Sequence, residues 1–200
     1  MRTALLVGVG LLLLPGCAEH LELRAPPASA PTSERVGAYN ELRGLSYHET
    51  TVTTVGTIGA ATSHSTDYMQ LANGGRVYYP EDLLPVVPED SPSARAAHAS
   101  RSKRDTAGML TLGSVLSVAA GAVLVILPIT QSDGGHINGT PILFGLGLAL
   151  VGGIGFGIAS HVVGQSAQDE AATAYETYDN SLLQRLNLCA QGDAVGDCAR

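Results

Sequence analysis

Residues 106–160 run TAGMLTLGSVLSVAAGAVLVILPITQSDGGHINGTPILFGLGLALVGGIGFGIAS, and the reading of this stretch decides the fold. Its one formal charge, Asp133, lies beside the turn-forming sequence Gly134-Gly135-His136-Ile137-Asn138-Gly139. On either side stand about 20 consecutive, mostly apolar residues, the length an α-helix rising 1.5 Å per residue needs to cross ~30 Å of hydrocarbon. The stretch therefore predicts two membrane helices, over 107–129 and 141–163, joined as a hairpin. Everything else in the chain reads as material attached to it.

In the second arm Gly145, Ala149, Gly153 and Gly157 recur every four residues, which lines up nearly side-chain-free positions along one helix face. The first arm carries a shorter version in Gly113, Ser117 and Gly121. Small residues at such spacing let two backbones approach closely, so these seven positions are the predicted helix-packing seam. Gly152 and Gly155 fall off that face, and glycine is frequent in membrane helices in any case. The spacing resembles glycine-zipper segments of bacterial envelope proteins, a resemblance confined to the hairpin.

At the start of the chain, Arg2 supplies one positive charge and residues 4–14 form an apolar run too short to span a bilayer, the build of a secretory signal peptide. Leu14-Pro15-Gly16-Cys17 closes the run. These four residues resemble the lipobox of bacterial lipoproteins, with Pro15 a less usual choice. The resemblance implies a diacylglycerol on the sulfur of Cys17, cleavage after Gly16, and a new N-terminus open to acylation. An ordinary signal peptide followed by an incidental cysteine is the competing reading.

Removing residues 1–16 takes away one of the 11 basic residues and none of the 18 acidic ones, so the formal charge moves from −7 to −8. So acidic a chain is a poor partner for nucleic acid, whose binding is dominated by phosphate neutralisation. Two further cysteines, Cys189 and Cys198, are separated by eight residues that include Gly192 and Gly196, so a disulfide-closed loop is sterically easy. An oxidising periplasm permits that bond. Metal binding is the rival reading, weakened by the lack of CxxC spacing and of any histidine after His161.

After Cys17 the chain becomes rich in Pro, Ala and Ser, and residues 17–34 read as a lipidated cysteine and an extended tether that buries little. Residues 34–45 predict a short helix with Thr32 or Ser33 as N-cap and Gly44 as stop. Residues 47–57 and 67–72 carry strand signals, and Asn73-Gly74-Gly75 supplies the residues of a tight turn before 76–79 returns as a strand ended by Pro80. Residues 35–90 thus form a small α+β subdomain, with the acidic, proline-punctuated stretch 81–90 covering one sheet face.

Ser91-Pro92 opens a helix that meets no breaker before the first membrane arm, so a single helix is expected over 92–127, its part at 91–106 being a basic pre-membrane helix. Arg95, Arg101, Lys103 and Arg104 there either hold anionic lipid headgroups or form a solvated face. Beyond the second arm, Gly164 is expected to loosen the helix and Ser166-Ala167-Gln168-Asp169 to cap a new one. Over 166–189 the residues Ala171, Tyr175, Tyr178, Leu182, Leu186 and Cys189 form one apolar stripe of an amphipathic helix, before a tail at 190–200. The stripe must pack on the β-subdomain, the basic helix or a second copy of the chain. Its wording Ala-Tyr-x-x-Tyr-Asp-Asn-x-Leu resembles the soluble helix that follows membrane hairpins in some uncharacterised bacterial envelope proteins, and no activity comes with that likeness.

The positive-inside rule alone places the loop between the arms outside, because basic residues precede the first arm and none lies in the loop. The signal peptide points the opposite way, and it commits the N-terminal segment to export before the hairpin emerges. The expected location is therefore the inner membrane of a bacterial envelope with periplasmic N- and C-termini. An outer-membrane lipoprotein is the alternative, since Ala18 after the cysteine fits, by resemblance, the sorting rule for that destination.

The fold class that follows is a mainly α membrane protein: a two-helix transmembrane hairpin with a small periplasmic β-hairpin subdomain and a C-terminal amphipathic helix. His20, His48, His64, His98, His136 and His161 are scattered without ligand spacing, and no glycine-rich phosphate loop follows a strand. The neighbours Ser63, His64 and Ser65 sit in a Ser/Thr-rich strand region of the kind that faces solvent, and His161 at the membrane edge needs no functional explanation. No catalytic, cofactor or metal site is predicted. The expected role is that of a non-catalytic, lipid-anchored envelope protein whose partners are membrane lipid and another copy or envelope protein. The alternative, from another class, is an oligomeric glycine-zipper channel, although no intramembrane charge or polar stripe is available to line a conduit.

Overall fold

A computed structural model describes residues 20–55, 61–131, 139–192 and 194–198. The expected signal peptide, the Leu14-Pro15-Gly16-Cys17 motif and the loop at 132–138 lie outside these residues. The described chain is mostly helical, with two long apolar helices and a small antiparallel sheet.

Helix α1 (Thr32–Leu42) is followed by strands β1 (Gly44–Val55), β2 (Ala61–Leu71) and β3 (Arg76–Val77), in sheet order β1-β2-β3. α1 begins earlier than the sequence suggests, with Pro31 at the N-cap and no side-chain cap, because the Thr32 hydroxyl donates instead to Asp197 at 2.6 Å. It also ends earlier. Gly44 is the first residue of β1, and its N–H donates to the Asp179 carboxylate at 2.8 Å. β1 and β2 pair antiparallel from Gly44↔Leu71 to Val55↔Ala61, so the second strand extends well before the expected residue 67. The turn at Asn73-Gly74-Gly75 holds Gly74 at φ +87°, the left-handed region that glycine enters without a Cβ clash. β3 shrinks to two residues, and a 3-10 helix at Pro80–Val86 takes up the chain.

α2 (Pro92–Gln131) is one continuous helix of 40 residues. The returning helix α3 consists of Gly139–Gly147, a π-helical turn at Leu148–Gly152, and Gly153–Glu176. This corrects the expected restart at Ser166. A Cβ at Gly164 would meet nothing within 4 Å, so its lack of a side chain forces no break, and Ser166 accepts a bond from Lys103 Nζ (2.8 Å) rather than capping. The interruption falls at Thr177, after which α4 (Tyr178–Leu186) begins. α4 stops with Asn187 in the left-handed conformation (φ 51°), so Cys189 lies not on the amphipathic helix but in β4 (Leu188–Gln191), paired with β5 (Ala194–Asp197).

Leu42, Met69, Leu71, Val77, Leu83, Val86 and Val87 form one buried core with Tyr175, Tyr178, Leu182, Leu186 and Leu188. The apolar stripe of α3 and α4 therefore packs on the β-subdomain and on the 3-10 segment, and Ser93 ties it to the foot of α2 by donating to the Ala174 carbonyl at 2.9 Å. Tyr178, fully buried, donates its hydroxyl to the Leu42 carbonyl at 3.1 Å, which satisfies the polar end of a side chain whose ring belongs in the core. Every buried side-chain N or O among the described residues has a partner.

The segment after residue 19 departs most from its expected form. Leu23 is 5% exposed and belongs to the core, and Leu21 and Ala25 pack against it. Proline-rich composition predicts an extended backbone, and the backbone is indeed without helix or strand, yet its apolar residues at every second position find a groove to fill.

Candidate functional site

The two long helices meet along a line that runs from the head, the region around the buried core of the sheet, the 3-10 segment and α4, into the apolar hairpin. Ser93 Oγ donates to the Ala174 carbonyl (2.9 Å), Ser100 Oγ to the Ala167 carbonyl (2.9 Å), Ser160 Oγ to the Ala107 carbonyl (3.0 Å) and Ser114 Oγ to the Gly153 carbonyl (2.8 Å). Each crossing lies seven residues further along α2 and seven residues back along α3. A seven-residue repeat keeps one face of each helix on the seam as they supercoil, and with serine, alanine and glycine at the repeat the backbones come close enough for hydroxyl-to-carbonyl bonds. Thr111 Oγ1 and Ser160 Oγ, 2.6 Å apart, add a side-chain pair.

Beyond Ser114 the next seven-residue step on α2 is Gly121, and it meets Gly145, one residue past the position a regular helix would present. The π-turn at Leu148–Gly152 absorbs that extra residue. A Cβ at Gly121 would lie 2.5 Å from the Gly145 carbonyl oxygen and 2.7 Å from the Ala149 Cβ, and one at Gly145 would lie 2.7 Å from the Gly121 oxygen. Of the predicted seam, Gly121, Gly145, Ala149 and Gly153 are thus in close interhelical contact, a Cβ at Gly153 meeting Val118 at 2.6 Å. A Cβ at Gly113 would meet Phe156 at 3.5 Å, and one at Gly157 would sit more loosely, 3.8 Å from Ser114 Oγ. Gly152, read from sequence as lying off the face, is on it: a Cβ there would meet Ser117 at 2.6 Å. The same π-turn is the reason, since it rotates the following residues in phase. Gly155 lies off the seam, with nothing within 4 Å. These contacts are made within one chain, so a ring of copies would have to use other faces.

The outer surface of the hairpin is apolar. Leu116 is 68% exposed, Leu143 72%, Phe144 68% and Val151 77%, and only 6% of the most apolar window of either helix is buried. By length and composition both helices could span a membrane.

Where the hairpin joins the head, charged side chains gather. Lys103 Nζ bonds Glu170 (2.7 Å) and Ser166 (2.8 Å), joining α2 to α3. Arg104 bonds Glu81 of the 3-10 segment (2.7 Å) and lies over the Tyr79 ring, 5.1 Å from its centroid. The His20 ring stacks on the same Tyr79 at 4.5 Å and its Nδ1 lies 2.7 Å from Asp82 Oδ1, while the Leu21 N–H donates to Asp82 Oδ2 at 3.1 Å. Two of the four basic residues singled out in the sequence, Lys103 and Arg104, are therefore engaged by carboxylates of the chain itself. Arg95 and Arg101 remain exposed, Arg101 beside His98 and Asp105 on a shallow outer face of α2.

A second polar centre went unread in the sequence. Arg35, 6% exposed, donates to the carbonyls of Ala30 (2.9 Å), Leu186 (2.7 Å) and Asn187 (3.0 Å) and to Asp197 (2.5 Å). It caps the last carbonyls of α4, where a cation is favoured by the helix dipole, and pins the β4–β5 ribbon to α1. Cys189 and Cys198 form a disulfide that closes this ribbon.

Among the described residues no group of three His, Cys, Asp or Glu side chains is placed to hold a metal ion. Ser63, His64 and Ser65 lie on β2, opposite Thr53, Val52 and Thr51 of β1. His161 is exposed on α3, and His48 bonds Ser46 and stacks on Tyr68. Burial raises the hydroxyl pKa of Tyr175, Tyr178 and Tyr47, so these groups stay protonated. Comparison with protein-family models, with curated proteins and with solved structures returns no match for this chain.

Proposed function

We propose that this chain is a non-catalytic, lipid-anchored protein of the bacterial cell envelope, in which an acylated Cys17 and a membrane-spanning hairpin hold a small exported module at the membrane surface. The observation that carries this reading is the inversion of burial between the two halves of one pair of helices. At their lower ends α2 and α3 bury Ala94, Ala97, Ala174 and Tyr175 against a core, whereas at their upper ends they expose leucine, valine, isoleucine and phenylalanine all round. An apolar area of this size is found on stable proteins only where lipid or another protein covers it. The hydroxyls along the seam suit a low-dielectric surrounding, since each is bonded back to a carbonyl or hydroxyl within the pair.

Two further features support export. The Leu14-Pro15-Gly16-Cys17 motif places a cysteine where lipoprotein modification requires one, and the Cys189–Cys198 disulfide belongs to an oxidising compartment. The module's role is then one of structure or interaction, with membrane lipid as one partner and a second copy or an envelope protein as the other. Labelling cells with a radioactive fatty acid, with and without Cys17→Ser, tests the lipid half: the label is expected to vanish in the variant, and undiminished label contradicts it. Blocking free thiols in intact cells with a maleimide and labelling again after reduction tests the compartment. Two protected cysteines fit an exported C-terminus, and two thiols that are never oxidised place it in the cytoplasm.

A further inference from the structure

Residues 17–34 would, as a free tether, allow the head to stand as far as about 60 Å from a lipid on Cys17, at ~3.5 Å per residue for 17 residues. The described part of that segment is not free. Asp82, 9% exposed, uses both carboxylate oxygens on it, one for the His20 ring and one for the Leu21 N–H. Leu21 reaches the turn at Gly75, where its Cδ2 would lie 3.1 Å from a Cβ, and Leu23 is sealed into the core. His20 is stacked on Tyr79, and Tyr79 carries Arg104 as well. Arg104 stands one helical turn before Ala107, where the apolar stretch of α2 begins.

We propose that His20 to Ala25 form a clamp that fixes the lipid-bearing end of the chain beside Arg104 of α2, just before its apolar stretch, so that the acyl chains of Cys17 and the helical hairpin enter the same leaflet of the same membrane, side by side. The proposal rests on the lipoprotein reading above for the lipid, and on the contacts of His20, Leu21 and Leu23 for the clamp. Cys17 is three residues from His20, so its backbone lies within about 10 Å of the clamp even when fully extended. The consequence is functional. A protein with a lipid at one end of a long free tether and spanning helices at the other could link two membranes or search the space between them, whereas one clamped in this way cannot. The competing destinations suggested by Ala18 and by the spanning helices reduce to one, because whichever membrane accepts the hairpin also receives the lipid. The head stands on that surface with no flexible spacer, and the exposed Arg101 and His98 face outward just above it.

The clamp is tested on the full-length lipidated protein in lipid vesicles, with spin labels on Glu22→Cys and Asp105→Cys, both at positions whose side chains leave the core undisturbed. One narrow distance peak is expected. Leu23→Ser, which removes the buried anchor, is expected to broaden it and to speed tryptic cleavage after Arg24 by about tenfold or more, since cleavage then no longer waits for local opening. Should Leu23→Ser fail to fold, Asp82→Asn supplies the same comparison at a milder level. A broad distance distribution in the unsubstituted background, with Cys17 shown by intact mass to be lipidated, overturns the clamp. An unmodified Cys17 in the mature chain overturns the lipoprotein reading and with it the shared leaflet.

Discussion

Leu182 and Leu143 are both leucines on helices of the same chain, yet Leu182 is fully buried and Leu143 is 72% exposed. The head obeys the rule of a water-soluble domain, in which leucine, valine and tyrosine are gathered inside and, among the described residues, each buried side-chain N or O is paired. The hairpin reverses the first half of the rule and keeps the second: its apolar side chains point outward, its hydroxyls inward. One pair of helices runs through both regions and keeps a seven-residue register from Ser93 to Ser114, shifted by one residue at the π-turn before Gly121 meets Gly145, with serine, alanine and glycine at the contacts. Side-chain size at the seam sets how the helices pack, and the surroundings decide only what covers the outside.

The largest expected effect separates the two regions directly. Leu182→Ala is expected to destabilise the head by about 2–5 kcal/mol, the cost of a cavity in a closed core. Leu143→Ala removes the same atoms from a largely exposed position in the hairpin, away from the core of the head, so urea unfolding of the head in detergent is expected to be unchanged. Equal losses at the two sites would erase the distinction.

Arg35→Met removes a guanidinium that holds Leu186, Asn187, Ala30 and Asp197 together, leaving buried carbonyls without a donor. A loss of about 2–4 kcal/mol is expected, confined to the head and visible as earlier release of the β4–β5 ribbon in hydrogen exchange. Gly121→Ala and Gly155→Ala sharpen the comparison within the hairpin. At Gly121 the new methyl runs into the Gly145 carbonyl oxygen and is expected to cost about 1–3 kcal/mol, whereas at Gly155 it enters open space and gains up to about 1 kcal/mol of helix propensity. Thermal melting in detergent followed by circular dichroism should give opposite signs, and a common sign would remove Gly121 from the seam.

The smallest effect concerns Asp179. Burial raises its carboxyl pKa above the ordinary value, and the Gly44 N–H and Arg43 pull it only partly back. A carboxyl whose folded pKa lies above its unfolded pKa contributes stability that is fully present below the unfolded value and is lost as pH rises through the folded one. Asp179→Asn is therefore expected to leave stability unchanged in acid and to raise it slightly, by under about 1 kcal/mol, near neutrality. A variant less stable at pH 7 than at pH 4, relative to the unsubstituted chain, would mean that the Gly44 bond outweighs the burial.

How much of this was legible beforehand follows from the range of each interaction. The hairpin could be read from composition alone, because a run of apolar residues needs no partner to declare itself. The continuous α2 and the turn at Gly74 were readable for the same reason, being local. The seam was half legible: the four-residue spacing of Gly145, Ala149 and Gly153 was plain, but the π-turn at Leu148–Gly152 shifts the phase, and no composition rule placed Gly152 against Ser117. The longer seven-residue repeat through Ser93, Ser100, Ala107, Ser114 and Gly121 stood in the sequence and would have joined head to hairpin. Arg35 was illegible, since its partners are carbonyls some 150 residues away. The segment at 20–25 was misread because Pro, Ala and Ser describe a backbone that resists helix equally well whether it is free or laid in a groove.

The chain contains no tryptophan, so Leu116→Trp gives a single reporter in the middle of α2 on its exposed apolar face. In reconstituted vesicles a hairpin surrounded by lipid predicts that this tryptophan is quenched by lipids brominated on their acyl chains and is untouched by aqueous iodide. Quenching by iodide with no response to the brominated lipids would show that the face meets water or protein, and would contradict the membrane hairpin on which the whole arrangement depends.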